Sequence, residues 1–111
     1  VTTPEVMEVA RPVIYRANRR IVGALGALGV RAHGIQHGVF ECEFLDRDSL
    51  GLVGDIRRVD LEAIRHAVEQ GCLPVVACMG ESKTGQVMNI TARGAAERSS
   101  RMTNSCSRRT R

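Results

Sequence analysis

The chain has 111 residues, 43% of them hydrophobic and 25% charged, with three aromatic side chains in all, Tyr15, Phe40 and Phe44. That length allows one small domain, and that apolar content excludes a wholly disordered chain. The formal charge of +4 is uneven: residues 93–111 carry six arginines against the one acid Glu97, whereas residues 1–92 carry ten bases and eleven acids, so the body is near neutral and only the tail is basic.

No uninterrupted apolar run approaches the ~20 residues of a membrane helix. No basic-then-apolar leader opens the sequence. A soluble chain without membrane contact is expected. Cys42, Cys72, Cys78 and Cys106 form no C-x-x-C pair, and without a secretory leader they read as reduced thiols, the first three as small hydrophobes in apolar segments.

Thr3-Pro4-Glu5 is a helix start, with a hydroxyl cap, proline at the first helical position and an acid in the first turn. Val6, Val9, Ala10, Val13 and Ile14 then recur at helical spacing and predict one buried stripe. It resumes through Ala17, Ile21, Val22, Leu25 and Leu28 after a kink or break at Pro12. Gly29 is placed to end the helix in a left-handed cap. Small residues for close packing explain Gly23, Gly26 and Gly29 better than a phosphate loop, since no strand leads into them.

Residues 30–35 predict a short strand, followed by a turn at Gln36-His37-Gly38. Residues 39–45 alternate, with Phe40, Cys42 and Phe44 on one face and Glu41 and Glu43 on a wet one. That wet face accounts for the two glutamates without an acid pair. His33, His37 and Cys42 lack the fourth ligand and close pairing of a metal site, so no metal is expected. After turn chemistry at Asp46-Arg47-Asp48-Ser49, residues 50–59 contain a strand. Asp60 caps a helix with the stripe Leu61, Ile64, Ala67 and Val68, which Gly71 ends.

Residues 73–79 are nearly continuous apolar sequence, which suits a strand covered on both faces. The order of elements argues for an α/β domain with a sheet between helices. Residues 80–86 follow that strand, at the carboxyl end where ligands gather in such sheets. From Arg93 the sequence turns arginine- and serine-rich. Residues 93–111 are expected to form a disordered basic tail, in which the absence of aromatic interleaving argues against nucleic acid as a partner.

Gly85-Gln86-Val87-Met88-Asn89-Ile90-Thr91-Ala92 reads G-Q-x-x-N-x-[NT]-A. It resembles the substrate-binding segment of acetylglutamate kinase, in the amino acid kinase superfamily. Other pieces resemble that family in the same order: Val1-Thr2-Thr3-Pro4-Glu5-Val6, Asn18-Arg19-Arg20-Ile21-Val22, Leu52-Val53-Gly54-Asp55-Ile56 and Gly71-Cys72-Leu73-Pro74-Val75-Val76. Residues 38–46, reading G-V-F-E-C-E-F-L-D, are similar to kinase domains of the fungal, mitochondrial type and of bifunctional synthase-kinases. Residues 1–92 are on this resemblance the central part of an amino acid kinase domain, an α/β three-layer sandwich that is here incomplete.

The resemblance implies phosphoryl transfer from ATP, with Mg, to the side-chain carboxylate of N-acetyl-L-glutamate in arginine biosynthesis. It also implies a homo-oligomer when complete, and a mitochondrial location if the fungal type holds, otherwise a cytoplasmic one. Asn89 matches the asparagine that hydrogen-bonds the substrate. Arg93 stands where the family has its catalytic aspartate, so no catalytic residue is assigned. A guanidinium has no acceptor and stays protonated, and it cannot replace that carboxylate. The family's phosphate-binding lysines and nucleotide-binding half have no counterpart here, so this chain by itself is expected to be inactive. The abrupt change of composition near Arg93 is what a shifted reading frame would produce. The kinase-like regulatory domain of an N-acetylglutamate synthase, and a non-catalytic product with a nucleic-acid-binding tail, are the alternative readings.

Overall fold

Thr3 opens the longest element. Its Oγ1 accepts the Val6 N–H at 3.2 Å, and Pro4 lies in the first turn, where its missing N–H costs nothing. The resulting helix α1 spans Pro4–Ala27. It belongs to a computed structural model that describes residues 1–109. Gly29, at φ +83°, ends the helix as expected, with the Val30 N–H returning to Leu25 O at 2.9 Å.

Of the kink or break expected at Pro12, the break is absent: α1 runs on through it. Pro12 and Glu8, whose carbonyl loses its donor, are both exposed, which lets the helix continue without burying an unpaired carbonyl. The inward stripe is also different. It runs through Met7, Ala10, Ile14, Asn18, Val22 and Leu25, while Val6, Val9, Val13, Ile21 and Leu28 are 49–80% exposed.

Strands β1 (Ala32–Ile35), β2 (Phe40–Phe44) and β3 (Gly54–Val59) follow, with the one-turn helix α2 (Arg47–Leu50) between the last two. Asp46 caps α2 through Oδ1, which accepts the Ser49 N–H at 3.2 Å. Helix α3 (Glu62–Glu69) starts after Leu61, one residue later than expected, and Asp60 just before it accepts the Glu62 N–H through Oδ1 at 3.0 Å. Gly71, at φ +75°, ends it. Then come β4 (Leu73–Val76), β5 (Met79–Glu81), β6 (Val87–Asn89) and helix α4 (Ala92–Arg109).

The strands form two sheets. One is the parallel pair β1–β4; the other has the order β3-β2-β5-β6, with β2–β5 parallel and β2–β3 and β5–β6 antiparallel. The apolar run 73–79 is therefore not one covered strand. It breaks at Ala77-Cys78 and crosses from the first sheet to the second, and Leu73 at its start is half exposed because β4 pairs with β1 alone.

Helices cover both faces. On β1, Gly34 faces Asn18 and Val22 of α1, and the next residue, Ile35, joins the cluster that holds Leu61 and Ile64 beside α3. That main core continues through Phe40, Cys42, Ile56, Met88 and Ile90 to Ala95 of α4. On the other face of the second sheet, Met7 meets Leu52 and Met79, with Ile14, Tyr15 and Val87 around them. A helix of 24 residues is about 36 Å long, enough for α1 to lie across both sheets. Helix, sheet, helix is the expected α/β layering.

The backbone of residues 92–109 is helical. The composition is polar, but Thr91 caps the first turn and Ala95 reaches the core. Thr110 and Arg111 lie outside the described residues.

Burial and the nearby Asp55 carboxylate push the Cys42 thiol up to about 11 from 9.0. A folded-state value above the unfolded one adds stability that is fully present below pH 9 and lost as pH rises toward 11. Stability measured across that window should fall less steeply for Cys42→Ala than for the wild type. Iodoacetamide at pH 8 should label the half-buried Cys72 and Cys78 well before Cys42.

Candidate functional site

A tight loop leads into the site. The Ser82 N–H donates to Gln86 O and the Gly85 N–H to Ser82 O, both at 2.9 Å, while the Gln86 N–H donates to Ser82 Oγ at 3.0 Å. Gly85 supplies the positive φ that this turn requires, +88°. Strand β6 then pairs with β5, placing Asn89 opposite Met79. Met88 and Ile90 are buried in the main core, so Asn89 points to the opposite face and its side chain is exposed.

The main chain of Asn89 is held from a third segment. Its N–H donates to Leu52 O at 2.8 Å, and Val53 and Asn89 form a parallel bridge. Leu52 in turn donates its N–H to Thr2 O, and the Thr2 N–H reaches Leu50 O at 2.8 Å. The segment entering α1, the turn after α2 and the end of β6 thus lie side by side. The glycine at position 51 in Ser49-Leu50-Gly51-Leu52 was the one sequence signal for this meeting.

Thr91 is committed to capping. Its Oγ1 accepts the Gly94 N–H and its carbonyl accepts the Ala95 N–H, both at 3.0 Å. Arg93 sits in the first turn of α4, its side chain 90% exposed, with Nε 3.1 Å from Glu97 Oε1. A cation is unfavourable at that end of a helix dipole, and Glu97 offsets it. A cleft of about 230 Å³ lies between β3 and α4, bordered by Ile56, Ile90, Thr91, Gly94, Arg98 and Arg101.

Asn89 and Arg93 are thus at the two ends of one short connection, one at a strand end and the other at a helix start. The other sequence candidates do not converge on them. His33 and His37 are exposed while Cys42 is buried. Glu43 is exposed in an ion pair with Arg57, which also meets Asp55. Lys83, the chain's one lysine, is exposed on the loop before Gly85. The donor set beside Asn89 does not fit Mg²⁺. That ion wants several oxygen ligands, whereas Thr91 Oγ1 is occupied and Arg93 is a cation.

One arrangement was not legible in the sequence. Asn18 is buried in the middle of α1 and donates Nδ2 to Val75 O of β4 at 2.9 Å. Its Oδ1 accepts Gln36 Nε2 at 3.1 Å, and the same nitrogen lies 3.3 Å from Tyr15 O. The carbonyl of Val75 can only accept, which fixes the orientation of both amides. A polar residue on the inward stripe of a helix was the available signal.

Residues 1–102 match the profile of the amino acid kinase family. Acetylglutamate kinase of Xanthomonas campestris pv. campestris is 41% identical over 96 residues, covering 86% of this chain and 22% of that protein. The mitochondrial protein ARG5,6 of Candida albicans is 41% identical over 96 residues, which is 86% of this chain and 11% of its own length. The chain therefore spans about a fifth or less of either relative. A crystal structure of smu.665 from Streptococcus mutans UA159 superposes with a TM-score of 0.74 at 26% identity, covering 81% of this chain and 38% of that one. The family match runs ten residues past the boundary expected at residue 92.

Proposed function

Because the chain belongs to the amino acid kinase family, we propose that it is a central part of an acetylglutamate kinase and that Asn89 contacts N-acetyl-L-glutamate. The observation that carries this reading is the placement of Asn89. It ends a strand between two buried residues, with its amide free toward solvent and its main chain fixed by Leu52. An amide offers donors and an acceptor to a ligand with a carboxylate and an acetamide group. Thr91, which the family pattern would also admit as a contact, is spent on the helix cap.

Phosphoryl transfer depends on positioning and on neutralising developing charge. The chain's own residues contribute to the first and not to the second. With Arg93 in the aspartate position and Lys83 as the single lysine, the described residues assemble no phosphate site. ATP and Mg²⁺ belong to the proposed activity of the whole enzyme, and no step through them is derived from this chain. A mitochondrial location follows the same proposal, supported by the match of residues 38–46 and by relatives whose names include it.

The test is titration of the ¹⁵N-labelled chain with N-acetyl-L-glutamate. The Asn89 side-chain amide should shift, and Asn89→Ala should weaken binding about tenfold, the value of one hydrogen bond to a charged group. Equal affinity of wild type and Asn89→Ala would rule the assignment out.

Arg93 favours a second reading, a kinase-like domain that binds without catalysing, as in an N-acetylglutamate synthase. Retained ligand binding with no phosphorylation in a longer product carrying Arg93 would support it; phosphorylation would exclude it.

The exposed stripe Val6, Val9, Val13 and Ile21 on α1 supports a homo-oligomer, with a second copy covering it. Sedimentation velocity should find assemblies larger than one chain, and Val13→Glu should shift them to monomer with the circular dichroism spectrum intact.

A further inference from the structure

Three segments distant in sequence meet at Leu52, and each uses only main-chain atoms. The Leu52 N–H donates to Thr2 O at 2.6 Å, the Leu52 carbonyl accepts the Asn89 N–H at 2.8 Å, and the Thr2 N–H donates to Leu50 O at 2.8 Å. Thr2 and Gly51 form a parallel bridge, as do Val53 and Asn89. Thr2 is 9% exposed although Val1 beside it is 85% exposed, so the contact and not general burial seats it. Gly51 lies at the centre of this arrangement with φ +70° and ψ −129°. A side chain there would be strained, and its Cβ would run into the Thr2 carbonyl oxygen, the acceptor of the Leu52 N–H.

We infer that Gly51 is a positioning residue for Asn89: it lets the Thr2 main chain close on Leu52, which then holds the Asn89 N–H. The sequence of contacts is short. Thr2 fixes Leu52 from its N–H side, and the carbonyl of the same residue fixes the strand end from which the Asn89 amide projects. Displacing Thr2 frees Leu52 to move away from β6. The consequence for acetylglutamate rests on the function proposed above; the coupling between Gly51 and the Asn89 main chain does not.

The test compares Gly51→Ala with Gly38→Ala. Gly38 also has a positive φ, +87°, but a Cβ there meets nothing within 4 Å, so it tests a positive-φ alanine without the collision. Amide hydrogen exchange in Gly51→Ala should be at least tenfold faster at Leu52 and Asn89, relative to Cys42 and Ile56 in the β2–β3 ladder. In Gly38→Ala those ratios should match the wild type. Thr2→Pro, which deletes the N–H donated to Leu50, is the second variant if Gly51→Ala does not fold; it should show the same selective loss. Unchanged ratios in the folded variant, or an equal loss in Gly38→Ala, would overturn the inference.

Titration with N-acetyl-L-glutamate separates the two proposals. A dissociation constant raised at least tenfold in Gly51→Ala and unchanged in Gly38→Ala supports both. No shift at Asn89 in the wild-type chain overturns the acetylglutamate reading alone, and the exchange ratios still decide the role of Gly51. Tight binding retained in a Gly51→Ala chain that has lost Asn89 protection overturns the link from main chain to ligand.

Discussion

Gly80→Ala is expected to lower stability by about 3 kcal/mol, the upper part of the range for an overpacked core. Cys42 on β2 is the cause. Its side chain is 2% exposed and occupies the space left by glycines on both neighbouring strands. A Cβ at Gly54 of β3 would stand 3.1 Å from Cys42 Sγ, and one at Gly80 of β5 would collide with that sulfur while meeting Ile90 Cγ2 and Phe40 O at 3.3 Å. The Phe40 carbonyl belongs to the sheet and cannot yield, and Ile90 is itself buried. The sulfur is the removable part. Cys42→Ala in the same chain should therefore recover a large share of the loss, giving a coupling energy of ~1 kcal/mol or more in a double-mutant cycle by urea denaturation. Additive losses would show that Cys42 is not the obstacle.

Asn18→Ala should cost about 2 kcal/mol through a different mechanism, because it leaves buried polar groups without their partners. Val75 O loses its side-chain donor, and Gln36 Nε2 keeps only the 3.3 Å contact with Tyr15 O. Asn18→Asp should be worse at neutral pH despite its matching shape. It removes the donor to Val75 and places a charge at a position 4% exposed. Asn18→Leu separates volume from polarity: it fills the site but still deserts both partners. A leucine variant as stable as wild type would show that the network is dispensable.

The legible parts of this fold were those written in local chemistry. Thr3-Pro4-Glu5 and Gly71 marked helix ends, and Asp60 marked one to within a residue, because caps and left-handed turns depend on one or two residues. The alternation from Phe40 to Phe44 gave a strand with the correct inward face. The G-Q-x-x-N-x-T-A segment singled out Asn89 by resemblance alone; the turn at Gly85 and the strand that ends at Asn89 come from the structure. What was misread depended on neighbours far along the chain. Residues 73–79 look like one strand, and only the separate partners of β4 and β5 divide them. The stripe of α1 carries apolar residues over more than half its circumference, so periodicity could not say which edge of the band turned inward. Asn18 decided it by reaching Val75, 57 residues away. Composition alone carries no sign of the Thr91 cap or of the burial of Ala95, from which α4 begins.

The parallel pairings have a consequence for the order of assembly. Ala32 pairs with Leu73 and Phe40 with Gly80, so each parallel ladder closes a loop of about forty residues. The two antiparallel ladders, β2–β3 and β5–β6, need only short closures. Contacts of high sequence separation form late because the chain loses entropy before they are rewarded. The hairpins and α1 are therefore early structure, and the meeting of Thr2, Leu52 and Asn89 waits for both hairpins to dock. The candidate site is in this sense a keystone, complete only when both hairpins and the segment entering α1 have met.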